Sequence, residues 1–167
     1  RRTFMTKQQY EHWSSPYRNT KGKKIIITAD KCMTGIVFLA YPILLGYLLF
    51  TGNNQKLMQT ILVPAVSFVI VSVFRRCYTA PRPYELLDIE PLIEKDTKGR
   101  SFPSRHVFSI FIIGMTFFYI AKPIGIVIGI MGIAMAYIRV VGGVHFPKDV
   151  VAGAVTGILC GMMYYII

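Results

Sequence analysis

The sequence predicts an all-α, polytopic transmembrane helix bundle, and three observations predict it. Five runs, roughly residues 33–52, 57–74, 107–121, 123–141 and 149–167, carry little or no charge, and about 20 residues at ~1.5 Å each are what ~30 Å of hydrocarbon requires. Apolar residues make up 53% of the 167 and charged ones 16%, with a mean hydropathy of +0.48, outside the usual balance of a soluble domain. The formal net charge of +11 is crowded into the short segments between those runs. That pattern points to anionic partners at a membrane, and no nucleic-acid partner is expected. Cys32, Cys77 and Cys160 are scattered without C-x-x-C spacing, which excludes a disulfide framework and a zinc ribbon.

Taken in order, residues 1–32 form a basic interfacial segment and residues 33–167 a transmembrane domain of about five spans. Lys7, Arg18, Lys21, Lys23, Lys24 and Lys31, with Arg1 and Arg2, alternate there with Phe4, Tyr10, Trp13 and Tyr17, a mixture suited to anionic headgroups. Ser14-Ser15-Pro16 is expected to break a helix within this leader. The first and second spans are joined by a minimal turn at Gly52 to Lys56, and the third and fourth by one at Lys122-Pro123. The third span is short for a crossing, with Arg105, His106 and Lys122 at its ends. In the last two spans Gly153, Gly157 and Gly161, and Gly125, Gly129 and Gly132, are spaced to let backbones approach. These read as packing seams within the chain, and the oligomeric state stays open. Alternation puts residues 1–32, 75–106 and 139–148 on one membrane face, where function is to be sought. The acidic stretch Glu85 to Asp96 of the long connection reads as a solvated loop.

The chemistry on that face is phosphate chemistry. Arg75, Arg82 and Arg139 present planar forks that bind phosphate oxygens through paired charge-assisted hydrogen bonds. Ser104 stands at the N-cap of the third span, whose first amides point at the same anion. His145 and Asp149 are four residues apart at the start of the last span, so the carboxylate can hold one ring nitrogen and free the other to attack phosphorus. His106, from a different helix, is placed to protonate the leaving oxygen. Arg76 reads as a headgroup anchor. Outside Glu11, Asp30 and the acidic stretch, Asp149 is the remaining carboxylate, too few for a two-metal hydrolase. No metal and no cofactor is expected.

Three segments then resemble the type 2 phosphatidic acid phosphatases, membrane-embedded lipid phosphatases whose motifs are Lys-x6-Arg-Pro, Pro-Ser-Gly-His and Ser-Arg-x5-His-x3-Asp. Here they read Arg75-x6-Arg82-Pro83, Pro103-Ser104-Arg105-His106 and Ile138-Arg139-x5-His145-x3-Asp149. The resemblance runs from about residue 57 to the end. It implies a metal-free reaction in which His145 becomes a phosphohistidine, Asp149 orients it, His106 is the general acid, and Arg75, Arg82, Ser104 and Arg139 hold the phosphate. Three departures stand out: Arg75 for Lys, Ile138 for Ser and Arg105 for Gly. Arg105 either binds a second phosphate or faces the interface.

The function expected is hydrolysis of a lipid phosphate or diphosphate, with undecaprenyl diphosphate, phosphatidylglycerol phosphate and phosphatidic acid as candidates. The lipid tail is expected to enter laterally between helices. The alternatives are a lipid phosphotransferase, or a non-catalytic protein that binds or flips lipid phosphates. A bacterial inner membrane is the expected location. Seventeen of the nineteen basic residues lie on the active-site face, which places the site in the cytoplasm by the positive-inside rule, whereas the bacterial proteins it resembles commonly act outside; sidedness stays open.

Overall fold

The computed structural model describes residues 5–95 and 97–166. Arg1, Arg2 and Phe4 of the leader, Asp96 of the acidic stretch and Ile167 fall outside them.

Helix α1 (Lys7–Ser14) opens on a reciprocal cap, with the Gln9 amide donating to Thr6 Oγ1 at 3.3 Å and the Thr6 amide to Gln9 Oε1 at 2.9 Å. It stops where Pro16 enters, in a 3₁₀ turn over Ser15–Tyr17. Asn19 then caps α2 (Thr20–Phe50) by accepting from the Gly22 amide at 2.6 Å. At 31 residues, α2 is ~46 Å long, well beyond a ~30 Å hydrocarbon layer. The helix therefore runs unbroken through residue 32, and its polar first turns stand out of the apolar layer on the face that carries the motifs. The uncharged run from 33 marks the part in lipid, since hydropathy reports the solvent and not the helix.

Gly52, at φ +69°, turns the chain, and Asn53 caps α3 (Asn54–Cys77). The long connection contains one helical turn, α4 (Pro83–Leu86), and is followed by α5 (Arg105–Ile120), α6 (Lys122–Val141) and α7 (Pro147–Gly161). Among the described residues there is no strand; one bridge pairs Ala80 with Arg100. Among the described residues each of the five apolar runs is mostly helical. Of these helices, α2, α3 and α6 are long and apolar enough to cross a membrane, and α5 is a shorter apolar helix. Their outward faces carry exposed Phe38, Phe50, Ile70 and Ile133, an apolar belt that only lipid covers. The protein is an integral membrane protein.

Helix α5 is the centre of the bundle, packed chiefly between α6 and α7. The α7 glycines make that approach possible: a Cβ on Gly153 would stand 2.6 Å from the Ser104 carbonyl oxygen, and one on Gly157 2.8 Å from that of Phe108. The seam is thus within the chain, and it draws the N-terminal end of α7, with Asp149, against the N-terminal end of α5. Gly132 packs on the Phe111 ring, whereas Gly129 faces open space. The last span ceases to be α-helical at Gly161 and tightens to a 3₁₀ turn over Met162–Tyr165. That turn brings buried Tyr164 to Thr116 Oγ1 at 2.8 Å and stacks its ring on Tyr119.

The connection between α3 and α5 is solvated along its acidic side chains, with Asp88, Glu90 and Glu94 exposed, but it is anchored by a packed apolar side. Ile89, Leu92 and Ile93 are buried, the Ile93 amide donates to the Gly142 carbonyl at 3.1 Å, and the Glu85 carboxylate receives the Arg82 amide at 2.7 Å and the Gly99 amide at 3.1 Å. Polar composition hid three apolar residues whose partners are on other elements. Helix α1 covers the same region: Tyr10, fully buried, reaches the Glu90 carbonyl at 3.2 Å and lies against Gly143.

Candidate active site

The turn between α6 and α7 carries His145. Gly143 adopts φ +76°, and the amides of Val144 and His145 both donate back to the Arg139 carbonyl, at 3.3 and 3.2 Å. Pro147 starts α7, with its fixed φ at a position where a missing amide costs nothing. Asp149, at the third helical position, accepts from the Phe146 amide at 2.9 Å through Oδ2. Its oxygen lies 3.7 Å from His145 Nδ1, close enough for charge attraction but too far for a hydrogen bond.

Ser101 fills that gap. Its hydroxyl donates to Asp149 Oδ2, and its oxygen stands 3.2 Å from His145 Nδ1. With its one proton committed to the carboxylate, Ser101 can only accept from the ring, which fixes the imidazole hydrogen on Nδ1 and leaves Nε2 unprotonated. All three side chains are buried, His145 at 3% exposure. Burial is the main reason the His145 pKa falls from 6.5 to about 4; the Asp149 carboxylate opposes the shift and Arg82 adds to it. The ring is therefore neutral at pH 7. Spacing named His145 and Asp149 but passed over Ser101, for one small hydroxyl in a polar connection carries no periodic signal. Its hint was position alone, three residues ahead of Ser104.

The three motif segments hold one another. Arg75, at the end of α3, donates to the carbonyls of Arg100, Ser101 and Pro103, so one guanidinium shapes the loop that delivers Ser101 and Ser104. Arg82 donates to the Thr97 carbonyl at 2.8 Å and to the Val144 carbonyl, next to His145, at 2.9 Å. The Ser104 amide donates to the Asp149 carbonyl at 2.8 Å, while its buried Oγ has no hydrogen-bond partner. Ser104 is the residue before α5 but forms no side-chain cap.

A cavity of about 350 Å³ opens over this arrangement, bounded by His145, His106, Arg75, Arg82 and Arg105, together with Arg76, Lys95 and Arg100. Five of the residues named from the sequence thus converge on one space. None of the described residues lining it is acidic. Burial, then the charges of Arg139 and Arg82, hold the Lys95 ammonium below its ordinary pKa. Asp149 and Ser104 stand behind the cavity wall. Arg139 does not line it either: its Nε lies 3.1 Å from Asp30 Oδ1 on α2. Asp30, Lys95 and Arg100 were absent from the sequence-derived set because each lies outside the three motifs, whereas Arg76, a variable position within the first, was read as a headgroup anchor and instead lines the cavity.

A second, apolar cavity of about 420 Å³ lies between α2, α3 and α5, lined by Val37, Phe38, Tyr41, Ile110 and Ile113. It shares Phe68, Arg105 and His106 with the first. Arg105 sits at that junction with its guanidinium carbon 5.7 Å from the centre of the Phe68 ring. A cationic chamber and an apolar chamber share one threshold, the shape expected of a membrane protein that handles an amphiphile with an anionic head.

The chain belongs to the PAP2 superfamily, whose family model matches residues 56–167. It is 28% identical over 134 residues to the bacitracin transport permease protein BcrC of Bacillus licheniformis, covering 77% of this chain and 66% of that protein. Over 136 residues it is 25% identical to the undecaprenyl-diphosphatase BcrC of Bacillus subtilis (strain 168), covering 80% of this chain and 70% of that one. Among solved structures it is similar to Aquifex aeolicus LpxE, with a TM-score of 0.74 and 26% identity over 96% of this chain and 94% of the other. It also shares the fold of a PAP2-type phosphatidylglycerolphosphate phosphatase from Bacillus subtilis, with a TM-score of 0.73, 19% identity, and 95% and 83% coverage.

Proposed function

We propose that the protein is a metal-independent lipid phosphatase that hydrolyses a lipid diphosphate through a phosphohistidine. The observation that carries this reading is the shared threshold: His145 and His106 face a chamber of six cationic side chains, which opens past Arg105 into an apolar one. The neutral Nε2 of His145 attacks phosphorus, the bond to the leaving oxygen breaks, and His106 delivers the proton that oxygen takes up. As the ring becomes cationic, its Nδ1 hydrogen is held by Ser101, and the Asp149 carboxylate answers the charge. Water then attacks phosphorus, giving up its proton to His106, and the phosphorus–Nε2 bond breaks, releasing phosphate and returning His145 to its neutral starting state. Arg75, Arg82, Ser104 and Arg139 are assigned to the transferring phosphate, whose developing charge they offset.

Three features favour a diphosphate over a monophosphate. The chamber holds Lys95, Arg100 and Arg105 in addition to Arg75 and Arg82, a diphosphate carries more charge to meet them, and one relative bears the name undecaprenyl-diphosphatase. The reading needs no resident metal. Among the described residues no three His, Cys, Asp or Glu gather, and arginine forks occupy the place a divalent cation would otherwise take. We place the protein in a bacterial inner membrane, with the lipid entering between α2, α3 and α5 and the N-terminal segment against the headgroups.

The test is phosphate release by detergent-solubilised protein in EDTA from undecaprenyl diphosphate, phosphatidylglycerol phosphate, phosphatidic acid and a soluble phosphomonoester. Release that survives chelation, favours the diphosphate and disappears in His145→Ala is expected. Release abolished by EDTA and restored by a divalent cation would sink the metal-free mechanism. Glycerol or another alcohol appearing phosphorylated in place of free phosphate would make the protein a phosphotransferase.

A further inference from the structure

Helix α2 lies outside the residues matched by the family model, yet it brings a carboxylate to a motif arginine beside the site. Asp30 is largely buried at 14% side-chain exposure, and its Oδ1 stands 3.1 Å from Nε of Arg139, itself 1% exposed. An ionised guanidinium is too costly to bury alone, and in this region of many cations Asp30 is the acid that answers Arg139. The ion pair is made at Nε. The contact is one of charge and not a directed hydrogen bond, for Asp30 Oδ1 and both Nε and Nη1 of Arg139 are buried without a hydrogen-bond partner, although an arginine so enclosed would normally have its donors satisfied. Asp30 also borders an opening of about 380 Å³ that reaches His106.

We infer that Asp30 is a positioning residue for the phosphate site: its charge at Nε holds Arg139 behind the chamber wall, in the place from which the unpartnered guanidinium can serve a phosphate. The inference rests on the proposed function only in taking that ligand to be phosphate. It makes α2 part of the active site. The arrangement has a reason in charge as well as geometry. Arg139 shares its surroundings with Arg82 and Lys95, and without Asp30 their repulsion would drive the guanidinium out of register before any substrate arrives.

A plain ion pair that only staples α2 to α6 would behave differently. Breaking such a staple lowers the melting temperature but leaves anion binding and turnover in the folded fraction alone. The experiment therefore measures two things on Asp30→Asn, Arg139→Gln and the double variant: the rise in melting temperature on adding orthovanadate, a phosphate mimic that requires no turnover, and kcat/KM for phosphate release from the lipid preferred by the wild type. Asp30→Asn is nearly isosteric. It is expected to reduce kcat/KM and vanadate affinity by about 10- to 100-fold, the loss that follows when a phosphate ligand is displaced by a distance approaching 1 Å. In the double variant, the loss should equal that of Arg139→Gln, because Asp30 acts through Arg139.

Wild-type vanadate affinity and kcat/KM in Asp30→Asn overturn the inference while leaving the phosphatase reading intact. A double variant a further tenfold below Arg139→Gln overturns it too, since Asp30 would then act by another route. If Asp30→Asn does not fold, the double variant, which leaves no unpaired charge, decides by the same comparison. If the wild type releases phosphate from no lipid, the functional reading fails and the vanadate shifts alone judge Asp30.

Discussion

Removing the Ser101 hydroxyl isolates what the gap between His145 and Asp149 requires. In Ser101→Ala, Nδ1 faces a carboxylate 3.7 Å away with nothing between them, and Asp149 Oδ2 retains only the Phe146 amide. Asp149 Oδ1 already has no hydrogen-bond partner, so a fully buried carboxylate keeps a single donor. A hydrogen bond to a charged group is worth about 1.5 to 3 kcal/mol. The one at stake strengthens as the ring becomes cationic in the transition state, and at ~1.4 kcal/mol per factor of ten the expected loss in kcat is roughly 10- to 150-fold. Ser101 does not line the cavity, so KM should change little, a split that separates orientation of the nucleophile from phosphate binding. The stability cost should be about 1 to 3 kcal/mol. The assay is initial-rate phosphate release from a lipid diphosphate, with the phosphoenzyme trapped at short times. Asp149→Asn in the same background should add far less than it does alone. A folded Ser101→Ala whose kcat is within twofold of wild type would refute the bridge, as would an effect confined to KM.

Four further outcomes are expected. The acidic limb of kcat/KM should fall near pH 4 and not near 6.5, because the lowered His145 pKa keeps the imidazole neutral in that window; a limb at 6.5 in the free enzyme contradicts it. The same shift makes the unfolded chain bind the extra proton first, so stability should decline as pH falls from 6.5 towards 4 and the His145 contribution should level off below that, as thermal melts across this range would show. Arg82→Lys keeps the charge but loses the fork that spans Thr97 and Val144; a kcat/KM reduced at least tenfold with a lower melting temperature is expected, and full activity would dismiss the fork. Ile113→Trp fills the apolar cavity and should raise KM for a long-chain lipid several-fold while sparing a soluble phosphoester; equal effects on both would separate that cavity from the tail.

The bundle was legible because lipid imposes one rule on five segments at once, and the sequence obeys it by excluding charge. What hydropathy could not report was the extent of helix beyond the lipid: Thr20 to Lys31 are as helical as the span they precede, and their polarity concealed it. The candidate site was legible to the degree that its parts recur at fixed spacing. His106, His145, Arg75 and Arg82 were found so, and the structure brings them to one chamber with Arg105. Ser101, Asp30 and Tyr10 were not, since each matters through a residue distant in sequence: Asp149 for the first, Arg139 for the second, Gly143 for the third. Long-range pairing of single side chains leaves no local pattern to read.

Those distant contacts also hold the three motifs to one another. Arg75 grips the backbone at Arg100, Ser101 and Pro103; Ser101 touches His145 and Asp149; Arg82 grips Val144. Each segment is located by the next through backbone carbonyls and one hydroxyl. It follows that Arg75 and Arg82 serve two purposes, shaping the loops and presenting charge to the chamber. Tyr10 extends the same logic beyond the motifs. Its ring supports Gly143, two residues before His145, at a φ that other side chains rarely adopt. Tyr10→Ala leaves a cavity beneath that turn at a cost of about 3 to 5 kcal/mol, as for other buried aromatic rings. The turn then has room to relax, so His145 should lose alignment with Ser101, and kcat should fall in the variant below the transition temperature. Tyr10→Phe, which keeps the ring and loses only the bond to Glu90, should retain most of it; similar losses in both would place the role of Tyr10 in that hydrogen bond instead.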